Sequence, residues 1–292
     1  MRTRWFFLLA ILVVLAMPAA ARQSSASRQA TAGGASPAVS ASELIPLPPA
    51  TDPGAQKAGQ LLQQMVAALG GDLYLNLRTM EQTGRSYGFY HGESTGTGTL
   101  FWRFWRPPDK DRLELTKQRD VTDLFLGDEG YEITFRGTAK LDPEQLADYL
   151  RRRNHSLPWV LHNWFREPGV ALLYEGFGVA ERKQAEMISV ITAQNDSVTI
   201  AIDSNSHLPV RVSFTWRDPK TRDRTDEAEG YDNYRMIQGI MTPLSVTRYK
   251  DGEPSNQRFI TSVTYNRELA DSLFAAQVPE TGGKKATPTG RK

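Results

Sequence analysis

The sequence contains no cysteine. That excludes disulfides, thiolate zinc or iron–sulfur sites, a catalytic thiol and a lipobox cysteine that would carry a lipid anchor. Histidine is scarce. The 292 residues hold four, His91, His155, His162 and His207, and none stands at H-x-x-x-H or a comparable ligand spacing. They read as scattered surface histidines, and neither a metal nor a cofactor is expected. There is no Walker A lysine motif and no G-x-G-x-x-G at a strand-to-helix junction; Gly92, Gly96 and Gly98 read as turn glycines. Long apolar runs are limited to one, the 13 residues from Trp5 to Met17. That run is too short to span a bilayer comfortably. With 40% hydrophobic and 23% charged residues, the chain has the composition of a globular protein, too polar for a multi-span membrane protein.

The apolar run has a characteristic setting. Arg2 and Arg4 precede it, Pro18 breaks it, and Ala19, Ala20 and Ala21 supply small residues for a peptidase. Residues 1–21 therefore read as a secretory signal peptide, with an uncleaved anchor as the alternative. Without Arg2 and Arg4, 33 basic residues face 33 acidic ones. A neutral protein has no global field to attract nucleic acid. Export without cysteine points to the periplasm of a Gram-negative bacterium, with no lipid anchor. Asn154-His155-Ser156 and Asn195-Asp196-Ser197 match the glycosylation sequon by chance in that setting.

Residues 22–54 are rich in Ala, Ser, Gly, Pro and Thr and read as a disordered spacer, and residues 280–292 as a disordered tail. One domain remains, 55–279, long enough to build a core by burial alone. It opens with a helix. Leu61, Leu62, Met65, Val66 and Leu69 share one face, Asp52 and Pro53 precede it, and Gly70-Gly71 stop it. Residues 73–81 read as a strand or as a helical continuation. Strands follow at 86–90, 97–106, 110–116, 121–127 and 130–135, with turns at Gly92–Gly96, Pro107-Pro108-Asp109 and Asp128-Glu129-Gly130. Asp142 with Pro143 begins a helix that Arg151-Arg152-Arg153 ends, where the dipole favours cations. A second helical stretch covers 158–165 and resumes over 170–174. Strands return at 186–193, 197–203, 208–216, 222–235, 244–250 and 256–265. The fold class is α+β: a curved antiparallel sheet of about 9 to 11 strands, forming an incomplete β-barrel (half-barrel) covered by a few helices.

Short motifs then carry a resemblance. Pro107-Pro108-Asp109-Lys110-Asp111-Arg112-Leu113-Glu114, Leu126-Gly127-Asp128-Glu129-Gly130-Tyr131-Glu132, and Ala201-Ile202-Asp203 with His207-Leu208-Pro209-Val210-Arg211-Val212 are such steps. Tyr231 to Tyr234, Gly239, Ile240 and Pro243, then Leu273-Phe274 and Val278-Pro279, continue the series. In this order they resemble the LolA/LolB-like periplasmic lipoprotein-carrier superfamily, which includes outer-membrane lipoprotein-sorting proteins. The resemblance implies a non-enzymatic carrier that holds a lipid or lipoprotein acyl chain in an apolar half-barrel cavity. Its partners would be a lipid or acylated protein, and an envelope protein. Phe101, Trp102, Phe104 and Trp105 then become candidate wall residues, and Trp159, Trp164 and Phe165 candidates on the lid. The alternative is an envelope structural or interaction protein whose aromatics fill the core and which holds no ligand.

Two patterns suggest other chemistry. Gly92-Glu93-Ser94-Thr95-Gly96 matches the G-x-S-x-G nucleophile elbow, which requires a helix after the serine. Here a strand follows, so no catalytic residue is assigned and no enzyme is expected. Arg151-Arg152-Arg153 could touch lipid phosphates or an acidic partner, but reads first as a solvated helix end.

Overall fold

The computed structural model describes Ser40, Glu43, Ile45, Pro48 and residues 51–276, all within the unit Ala38–Lys292. The expected signal peptide, most of the expected spacer and the expected tail lie outside the described residues. No helix among the described residues is long and apolar enough to cross a membrane.

Helix α1 (Pro53–Leu69) forms where its caps and stripe predict it. The Asp52 carboxylate accepts the Ala55 N–H at 2.9 Å, and Pro53 takes the first helical position. Gly70, at φ +130°, ends the helix, and its N–H and that of Gly71 satisfy the carbonyls of Ala67 and Val66. The ambiguous stretch after it resolves into a single turn, α2 (Asp72–Leu75), followed by a strand from Met80.

The remaining elements run β1 (Met80–Tyr90), β2 (Glu93–Ser94), β3 (Thr99–Arg106), β4 (Lys110–Leu115), β5 (Val121–Leu126), β6 (Glu129–Thr134) and β7 (Gly137–Lys140). Then come α3 (Pro143–Asn154), α4 (Leu157–His162) and a 3-10 turn, Trp164–Arg166. Strands β8 (Ala171–Ala180), β9 (Lys183–Ile191), β10 (Ser197–Asp203), β11 (Pro209–Arg217), β12 (Arg224–Ile237), β13 (Ile240–Lys250) and β14 (Glu253–Tyr265) follow, and a 3-10 turn, Asp271–Phe274, comes last. Residues 171–174 are thus the start of β8, not a resumed helix, and Val170 precedes the strand. Gly169, at φ +83°, breaks the chain, and Ala171–Tyr174 pair with Ile191–Ile188 of β9.

The described strands form one antiparallel sheet in the order β7-β6-β5-β4-β3-β1-β14-β13-β12-β11-β10-β9-β8, with β2 paired to β1. Its 14 strands exceed the expected number because β2, β7 and β8 are added. The sheet does not close: β7 and β8 are its two ends. A sheet this wide curls, and the half-barrel expected from the sequence is what results. The β1–β14 pair joins an N-terminal and a C-terminal meander, with a bulge between Thr83 and Gly84. At Gly84 an added Cβ would lie 2.2 Å from the Phe259 carbonyl, so the two backbones meet only because the residue is glycine.

Register assigns the faces. One face carries Ile188, Ile200 and Val212 in β9 to β11, and continues through Glu229, Arg248, Arg258, Arg103 and Asp111 to Phe125 in β5. We call it the inner face because the helices cover it. Under α1 and α4 it is mainly apolar, with Glu186 at its margin paired to Lys57 of α1 at 3.3 Å. Leu62, Met65, Val66, Val160, Leu161, Ile188, Val190, Val198, Ile200 and Ile202 have no exposed surface and form one cluster.

Candidate functional site: a charged cleft beneath helix α3

Helix α3 crosses the inner face beside the N-terminal meander. Asp142 caps it by accepting the N–H groups of Glu144 and Gln145. None of its side chains is fully buried. What apolar contact it makes is local. Tyr149 stacks on Phe125 with ring centroids 3.4 Å apart, and the Leu146 side chain lies over Gly130, where a Cβ would have only 3.0 Å. Polar links do the rest. The Tyr149 hydroxyl donates to Asp111 Oδ2 at 3.1 Å, and Arg103 grips the same carboxylate with two bonds of 2.9 and 2.8 Å.

The arginine run that ends α3 is not a solvated helix end. Arg151 donates from Nε to Glu227 Oε1 at 2.9 Å, contacts Asp148, and lies 3.6 Å over the Trp216 ring. Arg153 pairs with Asp128 at 2.8 Å and covers the Trp159 ring at 4.4 Å. Arg152 differs from both. Among the described residues it has no hydrogen-bond partner, and its nearest carboxylate oxygens there are Asp148 Oδ2 at 3.9 Å and Glu227 Oε2 at 4.0 Å.

A cleft of about 300 Å³ opens between this turn of α3 and strands β11 to β13. Arg151, Arg152, Arg248, Glu227, Glu229 and Phe214 are among its walls. Glu229 accepts from Arg248 Nε at 2.9 Å, Arg258 Nη2 at 3.3 Å and the Tyr231 hydroxyl at 3.1 Å. Burial opposes its charge, but the two guanidiniums outweigh burial and hold its pKa at about 2. Burial, then the nearby Arg248, bring Arg258 down to about 9 despite Glu229. The same two causes, in the same order, lower Arg152. The middle of the inner face is thus an array of ion pairs, where an apolar cavity was expected.

The aromatic candidates fall in three places. Phe101 and Trp105 lie on the inner face, with Ile240, Val246, Ile260 and Val263. Trp102 and Phe104 point the other way, because successive residues of a strand alternate. They pack on the outer face with Leu124, Leu269 and Phe274, the last two from the segment after β14. The four therefore cannot line one wall. Trp164 belongs to the cluster beneath α1, with Trp159 and Phe165 packed against it. None of the seven lines the charged cleft.

His155 is not a surface histidine. It is buried, its Nδ1 meets the Arg151 carbonyl at 2.7 Å and its Nε2 meets Asp196 Oδ1 at 2.9 Å, while its ring stacks on Phe214 at 4.1 Å. Among the described residues, no group of three or more His, Asp or Glu side chains is arranged to hold a metal. Ser94 sits in β2, exposed, with its hydroxyl donating to the Gly96 carbonyl at 3.1 Å; strand β3 follows it, not a helix.

Glu227, Glu229, Arg248, Arg258, Arg103 and Asp111 are absent from the sequence-based candidates. The available signal is in β12, where Glu227 and Glu229 alternate with Ala228 and Gly230. Charged residues at every second position place both carboxylates on one face of the strand.

No family model matches this chain, and no curated protein matches it. Solved structures do. A DUF1329 family protein from Desulfovibrio piger is 10% identical, with a TM-score of 0.54 over 75% of this chain and 97% of that one. A putative outer membrane lipoprotein-sorting protein domain from Vibrio parahaemolyticus is 11% identical, with a TM-score of 0.47 over the same shares. The LolA superfamily protein NE2245 from Nitrosomonas europaea gives the same three values. At such identities the likeness is one of fold. The fold here is an open antiparallel sheet, curled around a capped N-terminal helix, with a helical insert across its inner face.

Proposed function

We propose that this protein is a non-enzymatic binding or carrier protein of the bacterial envelope. Its ligand is a lipid or an acylated protein, held on the inner face of the half-barrel beneath α3. One observation carries the reading: α3 lies across the sheet over a 300 Å³ cleft without fully burying a single side chain. A helix that packs so little apolar surface is held mainly by ion pairs and polar links, whose net contribution is small because desolvation offsets their pairing. An acyl chain taken in between α3 and the sheet gains about 0.8 kcal/mol per buried methylene, enough to replace those contacts within a few methylenes. The volume is at the lower end of ligand sites. The N-terminal 21 residues would direct export, and residues 22–54 would tether the domain.

A second reading has its own support. The cluster beneath α1 and α4 is solid, which suits an envelope structural or interaction protein that holds no ligand. Lipid extraction and mass spectrometry of protein purified from a bacterial periplasm without detergent distinguishes them. The carrier reading expects lipid in stoichiometric amount. Empty protein that also ignores fluorescent fatty-acid probes overturns it in favour of the interaction reading.

A further inference from the structure

The cleft beneath the last turn of α3 holds more cations than carboxylates. Arg151, Arg152, Arg248 and Lys250 line it with Asp148, Glu227 and Glu229, and Arg258 stands against Glu229 as a fifth cation. The two glutamates are already engaged. Glu227 accepts from Arg151 and from Trp216 Nε1, both at 2.9 Å, and Glu229 accepts from Arg248, Arg258 and Tyr231. Arg151 is engaged as well, but other cations keep unused donors. Among the described residues Arg152 has no hydrogen-bond partner and reaches carboxylates only at 3.9 and 4.0 Å. Arg248 uses its Nε alone, so both of its Nη groups are without an acceptor among the described residues. The Nε of Arg258 is buried and unpartnered. Arg152 and Arg248 thus present free N–H groups to the same cleft, and burial, followed by repulsion from Arg248, lowers the pKa of Arg152. Two like charges with unused donors in a half-buried cleft call for an anion between them. A guanidinium fork matches phosphate oxygens two at a time.

We propose that this cleft is a phosphate site, in which Arg152 from α3 and Arg248 from β13 hold the oxygens of one phosphate group from two walls. The inference deepens the binding function proposed above and rests on it for one of two sources. Either the phosphate is the head of a phospholipid whose chain lies beneath α3, or it is free phosphate, which needs no acyl chain.

The test is calorimetric titration of the full chain, at matched chloride, with inorganic phosphate and with dihexanoyl phosphatidate below its micellar concentration. Arg152→Gln is the chosen variant because no hydrogen bond of Arg152 to a described residue is lost with it. It is expected to weaken both probes about tenfold or more, the worth of one charge-assisted contact, with Arg152→Lys recovering part. Phosphatidate bound more tightly than phosphate supports the lipid head group, and with it the carrier reading. Equal affinities support the phosphate site while overturning the acyl chain. No binding of either probe, or undiminished binding by Arg152→Gln, overturns the site. If lipid is nevertheless recovered by extraction, the carrier reading survives that failure.

Discussion

Trp164 provides a quantitative test of whether the region beneath α1 is packed or hollow. Its side chain is 5% exposed, within the cluster formed by α1, α4 and strands β8 to β11, and its ring meets His155 edge-on at 5.7 Å. An indole buries roughly 150–250 Å². At about 25 cal/mol per Å² that corresponds to roughly 4–6 kcal/mol of transfer free energy, of which alanine retains a part. Trp164→Ala is therefore expected to lose about 3–5 kcal/mol, the range for large aromatic truncations in a core that cannot collapse. Urea unfolding followed by far-UV circular dichroism reads this directly, since the other tryptophans complicate fluorescence. With a slope of about 2–3 kcal/mol per M, the midpoint should fall by about 1–2 M at constant slope. Trp164→Phe keeps most of the volume and should lose under half as much. A loss for Trp164→Ala below about 1 kcal/mol, with the slope unchanged, would mean that the indole borders empty space, and the packed-core argument would fail.

Other perturbations test other parts of the molecule. Gly84→Ala forces a Cβ to within 2.2 Å of the Phe259 carbonyl and 2.9 Å of the Phe101 ring, so about 2–3 kcal/mol should be lost in thermal or urea unfolding; a neutral substitution would contradict the register of β1 on β14. Arg151→Ala strands the Glu227 carboxylate with only Trp216 as a close donor, which should cost about 3 kcal/mol; adding Glu227→Gln should restore part of it, and strict additivity in the double-mutant cycle would refute the pairing. Asp123 has its pKa raised from 3.8 to about 6, first by burial and then by Glu132 and Asp111. Because the folded value lies above the unfolded one, ionising Asp123 costs stability as pH rises from about 4 to about 6, and the cost persists above that window. Asp123→Asn should accordingly be more stable relative to wild type at pH 7 than at pH 4; equal differences at the two pH values would rule the shift out.

Local chemistry made α1 legible: a capping aspartate before proline, an apolar stripe and a glycine pair fix both ends without help from the rest of the chain. Most strands were legible for the same reason, since turn residues bound them. Strand β8 was not. Its adjacent Leu172 and Leu173 read equally as helix, and only pairing with β9 sends one inward and the other to solvent. The four aromatics Phe101, Trp102, Phe104 and Trp105 show alternation, but not which face is interior. Both faces turn out to be covered, one by the helices and one by Leu269 and Phe274 from the far end of the domain. The charged cleft was hidden for a related reason. Arg248 and Arg258 look like ordinary solvated strand residues, and their inward position depends on register carried across β12, β13 and β14. A slip of one residue would turn them all to solvent.

The charged array and the apolar cluster do different work along one face. Removing ions from water opposes folding about as strongly as their pairing favours it, so the array around Glu229 contributes little net stability. The cluster beneath α1 supplies that stability instead, with Leu62, Met65 and Ile200 fully withdrawn from water. What the array sets is the chemistry that the cleft admits. A plain hydrocarbon pressed between α3 and β13 would strip water from Arg152 and Arg248 and give nothing in return. An amphiphile meets both demands, because its anionic head answers the free N–H groups while its tail takes the place of water over Val212 and Phe214. If the cleft takes a ligand as proposed, polarity in the middle of the half-barrel would act as a selection rule: it would disfavour neutral alkanes, tolerate zwitterions and favour ligands that carry an anionic group at one end. Ranking dodecane, a short phosphatidylcholine and a short phosphatidate by affinity for the full chain reads that rule directly, and preference for dodecane would refute it.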